Sequence, residues 1–245
     1  DVFFHGPVPG GRPRPPDQAY GVALAGDVAF VADGRNGLIA YALSGDPSTN
    51  PVVLGNLGGI GVATAVALWR DGRDGTFAFI AAGPSGIAVV DVTDPTAMTL
   101  VRTFEPSVAL GSSGSRPWIG RVQGVLIDGD RVWFSHAPGG VLLYAAKELV
   151  RTAAPQPSST FRLQDQPGYA DAIGVPFGMS LSQAGRGTIL LVAYGEAGLA
   201  WIDWSEAGAP RFQRLLPTAG SSRDVDVADG RVYVADFEGG LAAFE

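Results

Sequence analysis

FAFIAAGPSGIAVVD, residues Phe77–Asp91, holds two apolar runs of strand length joined by a short Gly-Pro-Ser-Gly turn. Phe, Ile and Val fill both runs, and glycine and proline sit only between them, which is the pattern of two β-strands and a connection. The same arrangement recurs along the chain: VAFVADG around Phe30, RVWFSHA around Trp133, ILLVAYG around Leu191 and RVYVADF around Tyr233. Counting the run around Phe79, the five centres lie 49, 54, 58 and 42 residues apart. Seven residues after each centre stands a glycine that opens a second apolar segment: Gly37, Gly86, Gly140, Gly198 and Gly240. A period of 40 to 60 residues with strand-like content points to a propeller or a similar repeat array.

A third segment precedes each centre, starting at Val22, Val125 and Val225 in units one, three and five, while units two and four lengthen the turn through Asp71–Gly75 and Ala184–Gly187. A fourth, outer segment follows at Pro51–Leu57, Leu100–Phe104, Ser159–Leu163 and Arg211–Leu216. Four antiparallel strands make one propeller blade. Only Ala145–Val150 has a helix-like pattern. The expectation is therefore an all-β chain: a single domain over 1–245, a five-bladed β-propeller with blades near 20–57, 64–104, 123–163, 177–216 and 223–245 plus 1–8. Unit five supplies three strands only, and an open edge invites aggregation. Asp1–Val8, with Val2, Phe3 and Phe4, is expected to pair beside Gly240–Phe244 and close the ring.

Two strings carry a resemblance to a known family: GIAVVDVTDP at Gly86–Pro95 after AFIAAG, and GLIAYALSGDP at Gly37–Pro47 after AFVADG. They resemble the LVIVD repeat, a strand ending Ala-Asp-Gly, then Gly-Leu and an apolar run, then Asp-x-Ser-Asp-Pro. Unit three lacks the Asp and Ser, unit four departs after Asp203, and unit five stops at Glu245. The resemblance implies a β-propeller of the kind often found in exported or cell-surface bacterial proteins, and implies no agreed activity. Localisation is accordingly expected to be extracellular, cell-surface or periplasmic.

Composition narrows the function classes. A net charge of -7 argues against a general nucleic-acid binder, which shows a basic stripe for phosphate. No apolar run approaches the roughly 20 residues of a membrane span, so direct membrane insertion is not expected. With no Cys there is no disulfide, thiolate metal site or cysteine nucleophile. The start at Asp1, without a basic and apolar leader, reads as a processed or trimmed chain.

Few residues carry recognisable chemistry. Of two histidines, His5 falls on the expected closing strand and His136 at the end of a second strand, where Asp33, Ala82, Tyr194 and Asp236 are its counterparts. Neighbouring blades could bring His136 near Tyr194, yet no nucleophile with a base and an orienting acid emerges. Asp33 and Asp236 precede turns, where a carboxylate ordinarily accepts backbone amides. Asp71 and Asp74 lack the remaining ligands of a calcium loop, and Gly55–Gly61 lacks the Lys-Ser/Thr of a phosphate loop, so no cofactor or metal is expected.

Position says more. Connections from one blade's outer strand to the next blade's inner strand all reach one face, and two of them are long, Glu105–Gly120 and Gln164–Pro176, with Pro9–Ala19 joining them. They and the inner-strand starts hold the candidate binding residues: Arg12, Arg14, Tyr20, Arg116, Trp118, Arg121, Gln123, Tyr169, Phe177 and Arg223. Arginines among aromatic rings suit carboxylate or sugar recognition and protein interfaces. The expected function is a non-catalytic binding or scaffolding propeller that engages a protein partner or a surface glycan, alone or as a subunit of a larger surface assembly. The alternative is a carbohydrate-active hydrolase or lyase at the channel mouth, with Asp171 and Asp224 as its carboxylates.

Overall fold

The computed structural model describes residues 17–43, 50–72, 75–106, 121–184, 187–205 and 209–244. Within them lie five antiparallel sheets, each running in chain order from an inner to an outer strand. Sheet one is β1 (Gly21–Ala25), β2 (Val28–Ala32), β3 (Leu38–Ala42) and β4 (Val52–Leu57). Sheet two is β5 (Ala65–Asp71), β6 (Gly75–Ala81), β7 (Ile87–Asp91) and β8 (Thr99–Phe104). Sheet three is β9 (Arg121–Asp128), β10 (Arg131–Ala137), β11 (Gly140–Ala145) and β12 (Ser159–Phe161), with α1 (Ala146–Arg151) between its last two strands. Sheet four is β13 (Met179–Ala184), β14 (Gly187–Ala193), β15 (Leu199–Asp203) and β16 (Arg211–Leu216). Sheet five has three strands, β17 (Asp224–Ala228), β18 (Arg231–Ala235) and β19 (Leu241–Phe244). The all-β expectation, the five repeats and the outer strands are borne out, and the helix-like piece is one short helix. The expected closing strand Asp1–Val8 lies outside the described residues.

One turn joins the second and third strands in four of the sheets. In sheet two the N–H of Ala82 donates to the Gly86 carbonyl, that of Ser85 to Ala82 and that of Gly86 to Gly83. The same set recurs at Asp33–Gly37, Tyr194–Gly198 and Asp236–Gly240. The closing glycine is required twice over. At Gly37, Gly86 and Gly198, and at the corresponding Gly140 of sheet three, φ lies between 83° and 98° and a Cβ would stand within 2.2 Å of the carbonyl oxygen that ends the outer strand. No residue with a side chain fits that approach. At Gly240 of sheet five, by contrast, φ is 75° and a Cβ would meet nothing within 4 Å. A second shared feature is a bulge between the third and fourth strands, after Ala40, Val89 and Trp201. It sharpens the local twist of each outer edge.

Packing divides the chain into two compact units, one holding sheets one and two with the segment Ala146–Ala154, the other sheets three to five. In the first, Phe30, Leu38 and Ala40 of sheet one meet Ile80, Ala88 and Val90 of sheet two. Ala146 and Leu149 of α1 are buried, Arg102 of β8 donates from Nη2 to the Val150 carbonyl at 2.8 Å, and Arg151 pairs with Asp71 at 2.7 Å. In the second, Trp133, Val141 and Phe161 pack against Leu190, Val192, Ile202 and Trp204, while Leu191 and Leu199 pack against Val225, Val232 and Val234. Successive residues of β14 thus face opposite neighbours, as a period of two dictates when both faces are covered.

His136 is the next-to-last residue of β10, beside an irregularity in register between Ser135 and His136. It is 6% exposed, and its Nδ1 accepts the Gly139 N–H at 3.0 Å. Burial pulls its pKa from 6.5 down to about 4, so the ring is neutral at pH 7. As pH falls the unfolded chain takes up this proton first, so the stability tied to a neutral His136 is complete above about pH 6.5 and is lost as pH drops toward 4.

Three outcomes follow for stability. Gly198→Ala should cost about 2–4 kcal/mol in urea unfolding, because strained backbone and a blocked carbonyl combine. Gly230→Ala, at φ 74° with nothing within 4 Å, should cost about 1 kcal/mol. Between pH 7.5 and 4.5 the wild-type chain should lose about 2–3 kcal/mol more than His136→Gln does; equal pH slopes would refute the buried neutral histidine.

Candidate functional site

In sheets one and four the turn after the second strand also ties the sheet to the start of the next. Gly34 and Ala63 exchange N–H···O=C bonds of 3.1 and 2.8 Å, and Gly195 and Ser222 bonds of 3.1 and 2.9 Å. Backbone bonded in this way brings the turn residues and the residues ahead of the inner strand onto one face of each unit. Polar side chains nearby are mostly drawn into that framework. Asp33, 5% exposed, accepts Asn36 Nδ2 at 2.8 Å. Asp236, 1% exposed, accepts the Gly220 N–H at 2.6 Å and the Ser222 hydroxyl at 3.3 Å. Asp33 thus serves its own turn, while Asp236 ties its turn to the segment ahead of β17.

Among the candidate residues, Arg12, Arg14, Arg116 and Trp118 lie outside the described residues. Tyr20 is exposed ahead of β1, its hydroxyl donating to Gln18 Oε1 at 2.6 Å and its N–H to the Ala32 carbonyl. Arg121 is exposed at the first position of β9, and Gln123 is half-buried in the same strand, where the register slips between Gly124 and Val122. Tyr169 packs elsewhere: its ring meets Phe212 of the outer strand β16 edge-on at 5.1 Å, within the cluster of sheets three and four. Apolar contact there places it against outer strands, while Phe177 and Arg223 stand at inner-strand starts.

Phe177 and Arg223 come together. The Arg223 guanidinium carbon lies 4.3 Å from the centre of the Phe177 ring and 5.3 Å from that of Phe237. Backbone hydrogen bonds hold the arrangement from both sides, with Gly178 N–H donating to the Arg223 carbonyl, Arg223 N–H to Ala235 and Phe177 N–H to Ala193. An arginine on two rings is attracted by their quadrupoles and keeps its N–H edge available. Among the described residues no carboxylate pairs with it. The adjacent Asp224 turns its carboxylate against Gly178, where a side chain would collide with it, and accepts its own neighbour's N–H, Val225, at 3.0 Å. Burial raises the Asp224 pKa, the Val225 N–H lowers it and the charge of Asp226 raises it, for a net upward shift. Asp171 is exposed.

Phe237 is the residue that sequence reading missed. It occupies the turn position held by Gly34, Gly83 and Gly195, so the signal was a bulky ring at a repeat position given to glycine. Among the described residues no group of three or more metal-ligating side chains occurs, and no helix is long and apolar enough to cross a membrane.

The geometry has counterparts among known proteins. The Pseudomonas aeruginosa periplasmic gluconolactonase PpgL superposes with a TM-score of 0.56 at 19% identity, covering 92% of this chain and 80% of PpgL. The computationally designed Ika8 protein gives 0.57 at 12%, with 91% of this chain covered but only 57% of Ika8. BBS1N, solved in complex with ARL6DN, gives 0.54 at 10%, covering 88% of this chain and 59% of BBS1N. This chain therefore spans less than two thirds of the length of the last two. At such identities the likeness is one of fold, and the fold is that of β-propellers. No curated protein matches the sequence. The LVIVD repeat matches residues 17–40, 74–105 and 219–243, which fall on sheets one, two and five. Three of the five antiparallel sheets thus carry the LVIVD repeat, a repeat associated with the β-propeller fold that the solved structures share.

Proposed function

We propose that the chain is a non-catalytic binding propeller that engages a protein partner through the face bearing Phe177, Arg223 and Phe237. The single observation that carries this reading is an exposed guanidinium seated on two aromatic rings with no acidic partner among the described residues. Arg and aromatic residues dominate the energetics of protein interfaces, and a positioned, unpaired cation costs little to desolvate against a complementary carboxylate. Arg12, Arg14, Arg116, Trp118, Arg121 and Gln123 extend the surface in this reading. BBS1N, of the same fold type, was solved in complex with another protein. An extracellular, cell-surface or periplasmic site of action, in a larger assembly or alone, accords with the fold likeness to a periplasmic protein.

The same reading includes a closed five-bladed ring over residues 1–245, with Asp1–Val8 as the outer strand beside β19. Its support is that, among the described residues, sheet five has three strands where the other sheets have four, and that Leu241 of its last strand is 71% exposed. A second reading, a hydrolase acting on carbohydrate, has one observation in its favour, the upward-shifted Asp224 at an inner-strand start. Asp224→Asn separates the two, since it would abolish hydrolysis of a sugar ester or lactone and leave protein binding in place.

The triple variant R116A, W118A, R223A should lose at least tenfold in affinity for a partner captured by the wild-type chain, with an unchanged melting temperature. Full retention of capture would refute the assigned face. Removing Asp1–Val8 should lower the melting temperature by several degrees, since an outer strand contributes on the order of a few kcal/mol; an unchanged melt would refute the closing strand.

A further inference from the structure

Phe237 holds a backbone conformation that its turn ordinarily gives to glycine. At the equivalent positions Gly34, Gly83 and Gly195 have φ of 51°, 58° and 58°, and Phe237 has φ 42°. The left-handed region is unfavourable for a bulky side chain, and residues kept there against strain cluster at functional sites. Burial does not offset the strain here, because Phe237 is 65% exposed. Its one ring contact is with Arg223, and that guanidinium is already seated on Phe177 at 4.3 Å.

We propose that Phe177, Arg223 and Phe237 form a receptor for an acidic peptide, in which Arg223 takes a side-chain carboxylate and Phe237 covers the apolar residue beside it. The inference rests on the binding-face reading above and adds the ligand class and the role of Phe237. Stacking on a ring holds the planar guanidinium so that its N–H edge meets a carboxylate in two parallel hydrogen bonds. Asp224 is turned toward Gly178 and Glu238 forms no ion pair, so the site carries a cation without its anion among the described residues. Sugar faces also stack on phenyl rings, but their hydroxyls need several polar partners that Phe177 and Phe237 do not supply, whereas an aliphatic or aromatic side chain buries against the rings with no polar group left unpaired; this favours a peptide over a glycan. With a net charge of -7 the chain repels polyanions at long range, so recognition falls to one well-placed carboxylate.

The test is an NMR titration of the full chain with acetyl-Leu-Glu-Leu-amide, its Gln counterpart and trigalacturonate. The Glu peptide should bind saturably and the Gln peptide about tenfold or more weakly. Arg223→Lys should weaken the Glu peptide by about tenfold, since Lys cannot reproduce the two-point contact. Phe237→Gly should keep or raise the melting temperature while weakening the peptide by about tenfold. Phe237→Asn, which also tolerates the left-handed region, should act in the same direction. Equal binding of the Glu and Gln peptides, binding of trigalacturonate alone, or a Phe237→Gly chain that melts lower and binds as before would each overturn the proposal. The outcomes are separable from failure of the underlying reading: if the triple variant loses its captured partner and the wild-type chain ignores the Glu peptide, only this inference falls. If capture survives the triple variant, the face itself is misassigned.

Discussion

In β14, Leu190 and Val192 pack toward sheet three and Leu191 packs toward sheet five, and this two-sided burial is the constraint on which the remaining structure depends. A sheet covered on both faces cannot alternate apolar with polar residues, so its middle strands become continuous apolar runs. Polar residues are driven to the hairpin ends. The β6 and β7 runs, with Phe79, Ile80, Val89 and Val90 all fully buried, show the same demand in the other unit. At about 1.5–3 kcal/mol for each large apolar side chain removed from water, such strands supply the dominant favourable term.

Close stacking of strands then governs the turns. The carbonyl at the end of each outer strand lies against the third strand's first residue, which leaves no room for a Cβ at Gly37, Gly86, Gly140 or Gly198. Each turn must also satisfy its own backbone groups, since buried amides and carbonyls without partners are costly. Asp33 accepts a hydrogen bond within its own turn, Asp236 accepts from Gly220 and Ser222 ahead of β17, and His136 accepts one from Gly139. Most of the chemically capable side chains near the inner-strand starts are therefore occupied by architecture. Arg223 stands apart, because its neighbours are ring faces, which leave its donors unfilled.

Much of this was legible in the residues. Offsets from Phe30, Phe79, Trp133, Leu191 and Tyr233 located the strands, and the outer segments at Val52–Leu57 and Arg211–Leu216 fall within a residue of the expected bounds. The site was legible in part. Phe177 and Arg223 were found because repeat position places them ahead of inner strands. Tyr169 was grouped with them through its place in a long connection, but a loop residue is free to fold outward, and its ring found Phe212. Phe237 went unnoticed because a pattern search registers the three turns that carry glycine there, at Gly34, Gly83 and Gly195, and discards the residue that breaks the repeat.

By itself the sequence determined the all-β class, the number of repeats and the positions of strands and turns. Those features follow from local rules: apolar periodicity, strand propensity and glycine at positions closed to other residues. Only the tertiary structure decided which faces of adjacent sheets meet, that Asp236 is consumed by Gly220 and Ser222, and that Arg223 rests on rings 46 residues before it and 14 after it in the chain. Such contacts join residues far apart along the chain, so their partners depend on how neighbouring sheets stack, and no local pattern encodes that stacking.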